Sequence, residues 1–180
     1  RTQAFGYYAQ NFVALAERLT DHLAAPDGAM PRERLWKVRA KRVILATGAI
    51  EKPLVFPEND RPGILLASAA STYLNGYGVR LGNRAVVLAA DESGYRAALD
   101  LHRAGIPVAV IADPRPKSEG PAVEAAKDAG LRIERGATIT ATRGRLRVTG
   151  VSLGRIGANG AVTGLREEAC DLVLMAGGWT

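Results

Sequence analysis

At 180 residues, with 47% apolar side chains and 20 glycines, the chain has enough nonpolar surface for a packed core and is not a disordered segment. Its one cysteine, Cys170, excludes an internal disulfide framework and fits a reducing cytoplasm, and without an apolar run of about eighteen residues no membrane span is expected. The net charge of +6 is scattered over RERLWKVRAKR, RLGNR, RPK and RGRLR without a stacking platform of aromatic residues, which argues against nucleic acid and for solvated surface or docking to an acidic partner.

In residues 1–25, Phe12, Leu15, Ala16, Leu19 and Leu23 fit one helical face, but AFGYY followed by AQNFVAL equally fits two strands around a turn, and strands are the preferred reading. The polar stretch PDGAMPRER at 26–34 reads as a loop. Trp36, Val38 and Ala40 then alternate with charges, and Val43, Ile44, Leu45 and Ala46 form a continuous run expected to be a buried strand ending at Thr47 and Gly48. Pro53, Pro57 and Pro62 make 52–63 an extended crossing segment, and a helix is predicted over 65–75, ended by Gly76 and Gly78. From residue 82 the pattern is regular: strand 84–90, helix 92–104 with Gly105 past its end, strand 107–112, helix 120–129 closed by Gly130, and strand 131–134. This βαβαβ order implies a parallel sheet with right-handed crossovers. Strand-like runs at 137–142, 145–156 and 161–166 predict an antiparallel meander, with Gly157, Ala158, Asn159 and Gly160 as a turn. A last apolar strand at 171–176 stops at Gly177 and Gly178.

The run VVLAADESGYRAAL occupies the place where a dinucleotide fold carries a glycine-rich turn between strand and helix. Such turns bind phosphate because the helix N-terminus offers unpaired N–H groups and about half a positive charge, while glycines let the backbone approach the ligand. Here the three glycine positions are Ala89, Asp91 and Gly94, with Ser93 beside the last. A carboxylate about 8 Å from a phosphate charge costs about 2 kcal/mol at an effective dielectric near 20, whereas the helix terminus returns about 0.3–1 kcal/mol. Asp91 could instead cap its own helix by accepting from the N–H of Ser93 or Gly94. A capped structural turn and an altered but working cofactor site both remain open on the residues alone.

Asp113 follows Ala89 by 24 residues, where an acid would hold ribose hydroxyls and repel the extra phosphate of NADP; a loop aspartate beside Pro114 is the plainer reading, and Arg115 could serve a phosphate instead. VILATGA at 43–49 and DLVLMAGG at 171–178 each end a strand on a small residue and glycine, so Ala46, Thr47, Gly48, Gly177 and Gly178 are further candidates for cofactor contact. His22 and His102 lie in no cluster at ligand spacing, so no metal is assigned, and Cys170 reads as packing.

The order ATGA, crossing segment, βαβ layer, meander and D-x-V-L-x-A-x-G resembles the flavin-dependent pyridine-nucleotide oxidoreductases with two dinucleotide domains. More narrowly, RTQAFGYYAQNFVALAERLTDHL, the run RLWKVRAKRVILATGAIEKPLVFPENDRPGILLASAASTYLNGYGV and GYRAALDLHRAG resemble the alpha subunits of heterotetrameric sarcosine oxidase. Similar runs occur in opine oxidase and cyanide synthase subunits. The resemblance implies 1–50 as the C-terminal part of a first, FAD-type dinucleotide domain, 51–81 as a crossing segment with a helix, and 82–180 as an NAD-type Rossmann-like domain. It also implies an oxidoreductase acting on CH–NH groups, in which sarcosine becomes glycine, formaldehyde and hydrogen peroxide. NAD would be carried by the alpha subunit, FMN would lie between alpha and beta, and FAD with the amine-oxidising site would belong to beta. Tetrahydrofolate would act as co-substrate in a later part of alpha, and beta, gamma and delta would be the partners. None of that catalytic machinery maps onto these residues, and with no Met at its start the chain is expected to be a piece of a longer protein, not catalytic by itself. Within such a protein the degenerate turn is expected either to retain NAD or to persist as a vestigial docking module.

Overall fold

The computed structural model describes all residues 1–180, which divide into two compact units, Arg1–Gly48 and Ala49–Thr180. The first unit is a three-stranded antiparallel sheet in the order β1 (Thr2–Tyr8), β2 (Phe12–Arg18), β3 (Glu33–Arg39). Strands prevail over the helical alternative because Gln10 and Asn11 adopt left-handed φ of 60° and 55°, which breaks any helix running through them. Asn11 is held there by its own amide: it accepts from the Tyr7 hydroxyl at 2.9 Å and donates to the Lys41 carbonyl at 3.1 Å. Leu15 then faces Ala4 on one side and Trp36 on the other, the cross-strand pairing that a central strand gains.

The run Val43 to Ala46 departs from expectation. It is not a strand, and Ile44 and Leu45 are 92% and 64% exposed. A strand needs a neighbour to satisfy its backbone, and no strand of residues 1–180 pairs with this one.

The second unit is built on a five-stranded, all-parallel sheet in the order β4 (Ile64–Leu66), β11 (Leu172–Ala176), β5 (Ala85–Ala89), β6 (Val108–Asp113), β7 (Ile133–Arg135). Buried on both faces, its central strands β11 and β5 are apolar throughout, as LVLMA and AVVLA show. Ala85, Val87, Ala89 and Leu174 face the helices α1 (Ala67–Ser71), α2 (Glu92–Arg103) and α3 (Pro121–Asp128). Val86, Leu88, Val110 and Val173 face Ile139, Val151 and Leu153 of the antiparallel meander β10 (Val162–Ala169), β9 (Gly150–Ile156), β8 (Ala137–Arg143). The unit is therefore a three-layer stack of helices, parallel sheet and meander. The expected βαβαβ order is present at 85–135, with Gly105 and Gly130 at φ +70° and +72° just past α2 and α3.

The helix expected over 65–75 is shorter and starts later. Ile64–Leu66 is a strand paired in parallel with β11, followed by α1 and a π-type turn at Thr72–Gly76. Three apolar residues gain more as a sheet edge beside β11 than as the first turn of a helix. The predicted strand at 145–156 begins only at Gly150, because Thr149 N–H turns back to the Arg143 carbonyl at 2.8 Å.

Candidate functional site

In a parallel α/β sheet the ligand crevice lies beyond the carboxyl ends of the strands, where neighbouring connections diverge. Here that place is the junction of β5 and β11, and Gly94 is what lets α2 close on it. A Cβ on Gly94 would stand 2.5 Å from Ala89 Cβ, 3.0 Å from Ala89 Cα and 3.2 Å from Ala176 Cβ, so only glycine permits this helix–sheet approach. Ala89 is fully buried in that contact.

Asp91, with extended backbone, is the N-cap of α2. Its Oδ1 accepts from Ser93 N–H at 3.0 Å and from the Ser93 hydroxyl at 2.6 Å. The neighbouring acid serves the next helix: Glu92 Oε1 accepts from Ala122 N–H at 3.4 Å, in the first turn of α3. Gly120 makes room for it, since φ is +133° and a Cβ there would fall 2.0 Å from Glu92 Oε1.

A third acid arrives from the crossing segment. Residues 50–52 run antiparallel to the end of the chain, with Ile50 N–H on the Thr180 carbonyl at 2.8 Å and Gly177 N–H on the Lys52 carbonyl at 3.0 Å. Gly177 is a glycine for this reason, because a Cβ would meet the Lys52 carbonyl oxygen at 2.6 Å. The segment delivers Glu51, 3% exposed, whose Oε2 accepts from Ser68 N–H at 2.8 Å and whose Oε1 lies 3.3 Å from the Ser93 hydroxyl.

Asp113, at the end of β6, is wholly buried. Its Oδ1 accepts from Arg115 N–H and Nε, both at 2.9 Å, and its Oδ2 accepts from the Tyr95 hydroxyl at 2.6 Å and Arg115 Nη2 at 2.7 Å. Behind Tyr95 the chain of bonds continues to Ser118 Oγ at 3.2 Å, which itself accepts from Arg135 Nε at 3.0 Å. Burial pushes the Asp113 carboxyl up, but the bonds from Arg115 and Tyr95 outweigh it and hold the group below its ordinary value. Burial, with the bond to Asp113, pushes the Tyr95 phenol up to about 12.

Of the sequence-predicted cofactor residues, the structure thus gathers Ala89, Asp91, Ser93 and Gly94 at one turn, with Gly177 and Gly178 at the end of the adjacent strand. Asp113 lies one strand over, with the four acceptor positions of its carboxylate already taken by protein donors. Gly178 has φ +87° and open space around it. Ala46, Thr47 and Gly48 belong to the first unit, are exposed, and leave the backbone of Gly48 open to solvent at φ +78°. Glu51, Tyr95, Ser118 and Arg135 escaped the sequence reading. Glu51 has one weak signal, an acid two residues after ATGA and two before Pro53.

Cys170 is buried, and its thiol is pushed up to about 12, first by burial and then by the Asp171 and Glu168 carboxylates. His22 and His102 are both exposed. No helix is long and apolar enough to cross a membrane.

No protein-family model matches the chain. The chain is homologous to sarcosine oxidase alpha subunits. It is 40% identical to "Sarcosine oxidase subunit alpha" of Corynebacterium sp. (strain P-1) and 37% identical to that of Rhizobium meliloti (strain 1021), in each case over 99% of the chain. It spans only 19% and 17% of the length of those relatives. Among solved structures, T. acidophilum thioredoxin reductase gives TM-score 0.63 at 23% identity over 82% of this chain and 48% of that one. A FAD-dependent pyridine nucleotide-disulphide oxidoreductase from Desulfovibrio vulgaris gives TM-score 0.62 at 15% identity over 99% of this chain and 43% of that one. The fold is thus the FAD/NAD(P)-binding Rossmann-like fold of these oxidoreductases.

Proposed function

We infer, from a homology that runs the length of the chain, that it is part of the alpha subunit of a sarcosine oxidase-like flavoenzyme complex. In that complex sarcosine, dioxygen and water become glycine, formaldehyde and hydrogen peroxide. The amine-oxidising site and FAD reside on a beta subunit, FMN lies at the alpha–beta boundary, tetrahydrofolate accepts the one-carbon unit elsewhere in alpha, and gamma and delta complete the assembly. Within alpha, residues 82–180 are the NAD-type layer, entered through the crossing segment 51–81. The stretch 1–48 contributes to the FAD-type half, where Ala46, Thr47 and Gly48 form the rim of the main dinucleotide seat.

The observation that carries the reading is the identity of 40% over 99% of the chain. The test is to co-express the full-length protein encoding this chain with its neighbouring subunits, purify the complex and supply sarcosine. Sarcosine-dependent peroxide and formaldehyde in equal amounts, with NAD released on denaturation, is the expected result. A flavin-loaded complex that oxidises an opine or glycine but not sarcosine would overturn the substrate and leave an amine-oxidising relative in its place.

The second reading is a layer retained for its shape and its surface, without a dinucleotide of its own. Its support is the Asp91 cap: the N–H group a phosphate would use is bonded to the chain itself.

A further inference from the structure

The residues present at the β5–β11 junction do not fit a dinucleotide. Ser68 N–H, Ser93 N–H and the Ser93 hydroxyl each have a carboxylate of the chain within reach. Ser93 has a single hydroxyl proton, and Asp91 at 2.6 Å takes it in preference to Glu51 at 3.3 Å. A diphosphate entering here would have to displace both acids from their donors and then sit beside two negative charges. Each charge at about 8 Å weakens binding about 30-fold, and the pair about a thousandfold. One strand over, the acid that would hold the ribose is spent on Tyr95 and Arg115.

We propose that Glu51 is an internal ligand of this layer: together with Asp91 its carboxylate stands in for a dinucleotide diphosphate and closes the second nucleotide layer to NAD. The proposal reaches past the assignment to an amine oxidase, because it holds whatever the substrate is. It also gives the crossing segment a task. Gly177 admits the Lys52 backbone so that Glu51 is carried over the end of β11 to Ser68 and Ser93. Closing the layer is chemically useful in a two-layer protein, since a diphosphate bound here would compete for the same cofactor pool as the first seat.

The test uses the full-length protein in its complex. Hydrogen exchange read by mass spectrometry follows the peptide covering 86–99, with NADH and separately with inorganic pyrophosphate at 5 mM. The natural protein is expected to show no added protection there, whatever it binds elsewhere. Protection of that peptide by either probe would overturn the proposal. Equilibrium dialysis of the E51A/D91G variant, which removes both carboxylate charges and both side-chain acceptors, is expected to yield more bound NADH per protein than the natural form, with protection appearing at 86–99. A folded variant that gains neither would equally overturn it, and if the variant does not fold, the exchange result on the natural protein decides alone.

Discussion

The Tyr95 hydroxyl, fully buried on α2, donates to Asp113 Oδ2 at the end of β6 across 2.6 Å. Helix and strand are thereby joined by a polar bond inside an apolar core, and the bond spends the very carboxylate on which a ribose would depend. Tyr95→Phe leaves that oxygen one donor poorer and the Ser118 hydroxyl without its acceptor, and should cost about 1–3 kcal/mol, read as a lower urea midpoint with an unchanged slope. Asp113→Ala should cost at least as much, about 2–3 kcal/mol, because it leaves the buried Tyr95 hydroxyl without its acceptor, while the partly exposed Arg115 can turn to solvent. If Tyr95→Phe unfolds at the same urea concentration as the natural protein, the bond contributes nothing.

The Asp91 cap carries a more modest load. Asp91→Ala removes the acceptor for Ser93 N–H, a loss of about 1 kcal/mol. The freed Ser93 hydroxyl can turn to Glu51, 3.3 Å away, which keeps the loss at the lower end of the range for capping residues. Thermal melting and far-ultraviolet dichroism of α2 check it. Asp91→Asn, which retains an oxygen for the cap, should recover most of the difference.

Gly94 is under steric demand from backbone as well as side chain. Gly94→Ala sets a methyl 2.5 Å from Ala89 Cβ and 3.0 Å from Ala89 Cα, and should destabilise by about 1–3 kcal/mol through overpacking. Adding Ala89→Gly removes the nearer clash, so the double variant should regain part of the loss. A double-mutant cycle with no coupling, against an expected term above about 0.5 kcal/mol, would show that α2 simply shifts to accommodate the methyl.

The alternation β5–α2–β6–α3–β7 was legible because local and global signals agree there. AVVLA and VAVIAD are apolar on both faces, as strands between two layers must be, and a glycine with positive φ follows each helix. Agreement failed where an element depends on a distant neighbour. Ile64–Leu66 reads like a helix start until β11, a hundred residues on, supplies a parallel partner. Ile44 and Leu45 carry a strand's composition yet pair with nothing in these residues. At the site, the cap was readable because Asp91 and Ser93 are two residues apart. Glu51 reaches Ser93 across 42 residues by way of the Gly177 contact, and no local pattern encodes that path.

Cys170 offers a check on core packing. With its thiol at about 12, almost no thiolate exists at pH 8, so a thiol reagent such as iodoacetamide should modify it only when the protein opens. Mass spectrometry should find Cys170 unmodified after an hour in buffer and fully modified in 6 M urea. Rapid labelling of the native protein would place the thiol at the surface and contradict the packing of Cys170 with β8 and β9 against the sheet.

Acid should loosen the protein through a definite set of carboxyls. Against the opposing effect of burial, Asp113 is held below its ordinary value by Arg115 and Tyr95, Glu134 by Arg166, and Glu168 by Arg84 and Arg166. Asp171 is held down by the N–H groups of Arg84 and Asn83. A carboxyl whose folded value lies below its unfolded one adds stability above the unfolded value, and that stability drains away as pH falls toward the folded value. Unfolding free energy should therefore be level down to about pH 4.5 and decline steadily below it. Asp113→Asn should be less stable at pH 7 yet lose less between pH 4.5 and 2.5, so that the two curves converge in acid. Parallel curves, with a constant gap at every pH, would mean that Asp113 titrates in the folded protein as it does in the unfolded chain.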